Sequence, residues 1–425
     1  MLNTDSLAAV AASRFGERFM RPLYESYCFA RIPATVRALL TGEAGTTLPA
    51  AALGPLAQQP PDAVILLFID AFGWRFFHER AERYPFLKRI LDDGVVSQLS
   101  TQFPSTTSAH VTTIHTGLEV GASGVFEWNY YEPALDAMIS PLLFSFCGDR
   151  ERDTLRPTGV DPARIYPASP FYRGLREAGV QPFVFQHHSY AGSPYTRVVA
   201  ADAQVVSYRT LPEALTLLAD LRAAQRGKAY YNLYFDGVDS VCHLHGPASR
   251  HVDAEIDALL STLERTLHPA LSGIGGRTLL LVAADHGHAA IDPATTLYLN
   301  RALPDVARFF RTSASGAPLV PGGSSRDMFL YIRPELLDEA EAELTALLAG
   351  RAEVHRVERL LAEGFFGTSP PSPALLGRIG NLVILPYAGE SVWWYERGRF
   401  EQRYRGAHGG LTRDEAETIL LAYAY

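Results

Sequence analysis

Four segments of the chain set carboxylates and imidazoles where they could share an ion, and a fifth offers a row of hydroxyls. Asp285 and His286 end the apolar run LLLVAA and are followed by Gly287, which permits a tight turn that points two adjacent side chains into one site. A carboxylate oxygen beside an imidazole nitrogen suits zinc or another first-row divalent ion, whereas magnesium favours oxygen alone. Asp239 and His243 are four residues apart in GVDSVCHLHG, so one helical turn puts both on one face. Asp236 and His245 compete with them for that role. Asp70 ends the run AVILLFI, placed either to meet a ligand or to cap the next helix. His408 lies in the Gly-rich AHGG, just before a predicted N-cap at Thr412. In FPSTTSAH, Ser105, Thr106, Thr107 and Ser108 precede a helical stretch, where backbone N–H groups favour phosphate and one hydroxyl could be a metal-activated nucleophile.

Strands must carry these residues, and the composition allows it. With 425 residues, 47% hydrophobic and 20% charged, the chain can bury a substantial core and is neither disordered nor a coiled coil. A formal net charge of -8 argues against a nucleic-acid binder working through overall charge. Three cysteines, Cys28, Cys147 and Cys242, fit neither a disulfide framework nor a thiolate zinc site, which favours a reducing compartment. The first residues do not read as a secretory signal, and no window is long and apolar enough to span a membrane, so a soluble cytoplasmic protein is expected.

The runs AVILLFI, VVSQLST, QPFVFQ, AYYNLYF and RTLLLVAA read as buried strands alternating with helical stretches such as FGWRFFHERAERYPFLKRILDDG. This predicts an α/β fold with a mostly parallel central sheet and helices on both faces. The expected organisation is an N-terminal helical arm and linker over 1–62, a metal-binding core formed by 63–289 and 401–425, and a cap or insertion over 290–400. Within the arm, residues 1 to about 45 read as helical.

Taken in order, Asp70, FPSTTSAH, DSVCH, ADHG and AHGG resemble the alkaline phosphatase superfamily, and within it type I phosphodiesterases and nucleotide pyrophosphatases, over residues 63 to 415. The resemblance implies an alkaline phosphatase-like sheet with two divalent ions, zinc first and manganese second, at its strand ends. Asp70, Thr107, Asp285 and His286 would hold one ion, and Asp239, His243 and His408 the other. The family pattern FPxxT makes Thr107 the nucleophile, three residues after Pro104, and the sulfatase signature C/S-x-P-x-R is absent. A family Asn that binds a phosphate oxygen falls against Trp128 when counted from Gly124, and Asn129, one place on, is the candidate for substrate binding.

The implied activity is cleavage of phosphodiester or pyrophosphate bonds in a small phosphorylated substrate such as a nucleotide, through a phospho-threonine. The alternatives are a phosphomonoesterase, phosphonate hydrolase or mutase with the same centre, or a metal-stabilised binding module without turnover. His110, His115, His187, His188, His245 and His288 receive no role, although His188 and His288 are candidates for contacts from outside the ligand sets. Phe126, Trp128, Tyr130 and Tyr131 could stack on a base or simply fill the core.

Overall fold

The structure, a computed structural model, describes residues 1–168 and 170–425. Its centre is a seven-stranded sheet of β1 (Ala63–Ile69), β2 (Val95–Ser100), β3 (Gln181–His187), β4 (Gln204–Tyr208), β5 (Ala229–Phe235), β6 (Thr278–Ala283) and β7 (Glu417–Ala424). The strand order is β2-β7-β6-β1-β5-β3-β4. Only β7 runs against the others, pairing antiparallel with both β2 and β6. The fold is thus α/β with a mostly parallel sheet, as the unbroken apolar runs require: every residue of β1 and β6 is buried, so neither face can be polar. One layer of core lies on each face of the sheet, the first gathering Val64, Leu66 and Phe68 and the second Ile65, Leu67 and Ile69.

Register explains where the site forms. Ile69 lies opposite Phe235 and Phe68 opposite Ala283, so the carboxyl ends of β5, β1 and β6 are nearly level. The polar residues that follow each strand therefore emerge side by side, the place where open parallel sheets bind ligands.

Two helical expectations are corrected. The stretch after β1 is two helices, Trp74–Arg80 and Pro85–Asp93, because Pro85 starts the second and holds Tyr84 extended at ψ 126°. In the arm, Thr4–Ala12 and Ile32–Thr41 are helical, but the chain between them folds back irregularly. There Phe15 and Phe19 bridge, Gly16 adopts φ +62°, and the Ser13 hydroxyl donates to Arg21 O, so Phe19 and Tyr27 are buried without a helix.

Residues 290–400 include a small antiparallel sheet of Met328–Leu330, Ala352–Arg356 and Leu382–Pro386 with its own apolar cluster around Phe309, Leu344 and Ile384. It joins the core through Phe329, Val383 and Leu385, which belong to the first core layer, and through a buried ion pair, Arg326 to Glu415 at 2.7 Å, with both side chains fully enclosed. No helix among the described residues is long and apolar enough to cross a membrane.

Candidate metal centre

Two groups of side chains able to hold a metal meet at the strand ends: Asp70, Asp285 and His286, and Asp239, His243, His288 and His408. Asp70 follows β1 directly and does not cap the next helix, whose N-cap is Gly73. Ala71, just after it, takes φ +63°, a strained conformation for alanine, and donates its N–H to Asp285 Oδ1 at 3.0 Å. His286 N donates to the same oxygen at 3.0 Å. Gly287 is needed for a different reason from the one its turn suggests. Its φ is not positive; a side chain there would strike the Asp414 carbonyl, and one on Gly73 would meet Gly287 Cα at 2.6 Å.

Asp239 and His243 lie on α2 (Gly237–His245), one turn apart, with His243 Nε2 3.4 Å from Asp239 Oδ2. Asp236 takes the N-cap position and His245 stacks on His251 at 3.9 Å between ring centroids, so neither joins the cluster. His408 arrives from the far end of the chain. Its loop is laced to the hydroxyl segment, with Ser105 N donating to Gly409 O at 3.0 Å and Gly409 N donating to Ser105 Oγ at 3.1 Å.

Three imidazoles share one device. His286 Nδ1 faces Gly287 O at 3.0 Å, His243 Nδ1 faces Gly406 O at 2.9 Å, and His408 Nδ1 faces Ser105 O at 2.9 Å. A carbonyl only accepts, so each Nδ1 carries the proton and each Nε2 turns a lone pair inward. His286 and His408 stack at 3.6 Å, which joins the two groups.

Of the four hydroxyls, only one faces this centre. Ser105 Oγ donates to Gly410 O at 2.7 Å, Thr106 bonds Glu127, and Ser108 Oγ is buried elsewhere without a partner. Thr107, the first residue of α1 (Thr107–Thr116), places Oγ1 3.3 Å from His286 Nε2 and 3.4 Å from Asp70 Oδ2.

The carboxylates are built to be neutralised from one side. Asp70 Oδ1 and Asp285 Oδ2 are buried with no hydrogen-bond partner, although His286 Nε2 lies 3.5 and 3.3 Å from them. An orphaned buried carboxylate oxygen is costly, and two of them aimed at one imidazole lone pair and one hydroxyl are the donor set of a cation site. Burial, then the charges of Asp285 and Asp239, push Asp70 well above the usual carboxylate range. Burial likewise pushes Asp285 up to about 7 and His408 down to about 3. The residues present therefore fit two divalent ions, one at each group.

Asn129 lies in the wall of the larger of two adjoining cavities, its amide donating to Gly323 O at 3.3 Å and accepting from Ser140 Oγ at 2.7 Å. Trp128 beside it is 38% exposed and lines both cavities, while Phe126 and Tyr130 are core residues. His188 pairs its ring with His187 and stays outside both groups.

The sequence reading missed Tyr234, and named His288 as a candidate contact from outside the ligand sets without a partner. His288 Nε2 lies 2.8 Å from Asp239 Oδ1, and the only trace of this in the sequence is its spacing, two residues after His286. Tyr234 OH donates to Asp70 Oδ2; its signal is position, one residue before the end of β5 beside β1.

Comparison with known proteins agrees with this architecture. The chain is similar to murine ectonucleotide pyrophosphatase/phosphodiesterase 5, solved as an inactive form in complex with AMP, with 16% identity and a TM-score of 0.63 over 85% of this chain and 88% of that one. The human form of that protein is 17% identical, with a TM-score of 0.61 over 85% and 87%. At such identities the likeness concerns the fold. A search among curated proteins finds no match. The family model for type I phosphodiesterase/nucleotide pyrophosphatase matches residues 64–411, from β1 past His408, and the chain belongs to that family of phosphohydrolases.

Proposed function

We propose that the protein is a two-metal phosphodiesterase or nucleotide pyrophosphatase that works through a covalent threonine ester. The observation that carries this reading is the position of Thr107 Oγ1, within 3.4 Å of both Asp70 and His286 and beside two unpartnered carboxylate oxygens. Asp70, Thr107, Asp285 and His286 would hold one ion, and Asp239, His243 and His408 the other. Zinc suits the mixed oxygen and nitrogen donors, and manganese is the alternative. Bound there, two divalent ions supply Lewis-acid stabilisation of the attacking and departing oxygens and ease loss of the hydroxyl proton.

Thr107 Oγ then attacks phosphorus, forming the threonine ester as the P–O bond to the leaving group breaks. Water attacks the ester, the Thr107 O–P bond breaks, and Thr107 regains its proton. Two in-line displacements leave the phosphorus configuration retained overall.

A substrate with groups on both sides of phosphorus suits the surroundings. Cavities of about 610 and 190 Å³ meet at Thr107, Trp128 and Asp239. The larger is lined by Arg150, Arg403, Tyr404 and Trp393, and the smaller by Arg152, Tyr190 and Tyr195, a mixture of cations and rings that suits a nucleotide. The AMP bound to the murine protein of the same fold supports the same substrate class. A cytoplasmic location is part of this reading, supported by three buried thiols that are unpaired among the described residues.

The test is hydrolysis of bis(p-nitrophenyl) phosphate against p-nitrophenyl phosphate, after chelation and after zinc or manganese is restored. Metal-restored activity with the diester ahead is expected. Monoester preference would move the assignment to a phosphatase, and silence on both after metal loading would overturn turnover of simple esters.

A further inference from the structure

Each carboxylate of the centre is tied down by one oxygen and free at the other. Asp285 Oδ1 takes two backbone N–H groups and leaves Oδ2 unpartnered. Asp70 Oδ2 accepts from Tyr234 OH and leaves Oδ1 unpartnered. Asp239 repeats the arrangement: Oδ1 is 2.8 Å from His288 Nε2, while Oδ2 faces His243 Nε2 at 3.4 Å.

His288 differs from the three inward-facing imidazoles. Its Nδ1 bonds no carbonyl and is buried without a partner, packed so closely that a side chain on Gly406 would meet it at 2.9 Å. With Nδ1 unable to donate, the hydrogen bond to Asp239 Oδ1 requires the proton on Nε2. That nitrogen then has no lone pair left for an ion. The ring is fully buried and its Nε2 makes this single bond, so what holds it in place chemically is Asp239.

Resting on the two-metal reading above, we propose that His288 is a positioning residue: its Nε2–H occupies Asp239 Oδ1, so that Asp239 ligates the second ion through Oδ2 alone. It stands outside the ligand set and orients a ligand, as outer hydrogen-bond donors do in metal sites.

The test measures the affinity of both metal equivalents by chelator competition, with cobalt substitution to read the ligand field. In His288→Ala one equivalent weakens roughly 10- to 100-fold and the other is unchanged, the loss typical of outer-sphere donors. His288→Gln, whose amide N–H can reach where Nε2 stood, recovers most of that loss. His288→Asn, one methylene shorter, does not, and the contrast between the two amides decides the matter even if the alanine variant fails to fold. Wild-type affinity in His288→Asn overturns the proposal. So does a cobalt spectrum showing one nitrogen ligand fewer in His288→Gln, which would make His288 a ligand itself. Wild-type protein that binds no metal at all would instead overturn the two-metal reading.

Discussion

Adjacent threonines in this chain do different work, and substitution separates them. Thr107 faces the centre, whereas Thr106 bonds the buried Glu127 and caps α1 by position. Thr107→Ala is expected to abolish turnover with metal content within one equivalent of wild type, while Thr106→Ala keeps turnover and loses about 1 kcal/mol of stability. The reverse pattern would move the nucleophile one place. Glu127 itself faces Asp327, both fully buried, and each has one carboxylate oxygen without a partner. Burial pushes Glu127 from 4.5 up to about 7 and Asp327 well above its ordinary value. The folded state thus keeps a proton that the unfolded chain has released. The pair's contribution to stability is fully present below about pH 4.5 and is lost as pH rises through about 7. Glu127→Gln imitates the protonated form, so its melting temperature relative to wild type should climb between pH 5 and 8. A pH-independent difference would show that the pair does not titrate in that window. The candidate ligands were legible because their types and order match a family pattern. Tyr234, Glu127 and Asp327 were not, because each acts through a neighbour distant in sequence or through a contact that no motif records, and His288 was legible only as a contact from outside the ligand sets, without its partner Asp239.

At the scale of elements, apolar runs predicted five of the six sheet strands before residue 290, since a strand covered on both faces admits little else, whereas β4, an edge strand with Gln204, Val205 and Ser207 exposed, carries no such run. Helices were less legible where one local signal overrides a periodic pattern, as Pro85 does. The element that delivers His408 depends on contacts no local pattern encodes. Glu415 accepts from Gly410 N at 3.2 Å and Thr412 N at 3.1 Å, and Arg326, next to the small sheet, holds Glu415 from the other side while donating to Tyr387 O at 2.8 Å. Arg326→Met strands a buried carboxylate and should cost about 3–5 kcal/mol of stability. Adding Glu415→Leu should return much of that cost, because an apolar pair replaces an ionic one. It should not restore metal binding at Asp239, His243 and His408, because Gly410 and Thr412 lose their acceptor and the His408 loop is freed. Melting temperature and metal content measured on both variants separate the two effects, and full metal content in the double variant would show that the loop is held by other means.

For the whole molecule, the candidate ligands tie the beginning of the core to its end: Asp70 follows β1, His408 precedes β7, and their loops meet over the sheet ends. Without cations, that junction holds Asp70 and Asp285, both buried, with opposing charges. An ion that binds the folded chain and not the unfolded one stabilises it by about 2.7 kcal/mol at a hundred times its Kd. Chelation is therefore expected to lower the melting temperature by several degrees at neutral pH, and added zinc or manganese to restore it. The same titration on Asp285→Asn should give a smaller rise, since one ion loses a charged ligand. That variant without metal should melt no lower than metal-free wild type, because the substitution also removes a buried repulsion. A wild-type melting temperature unmoved by chelator, with metal confirmed absent, would mean that the strand-end carboxylates are satisfied without an ion and would remove the dimetal centre from the mechanism.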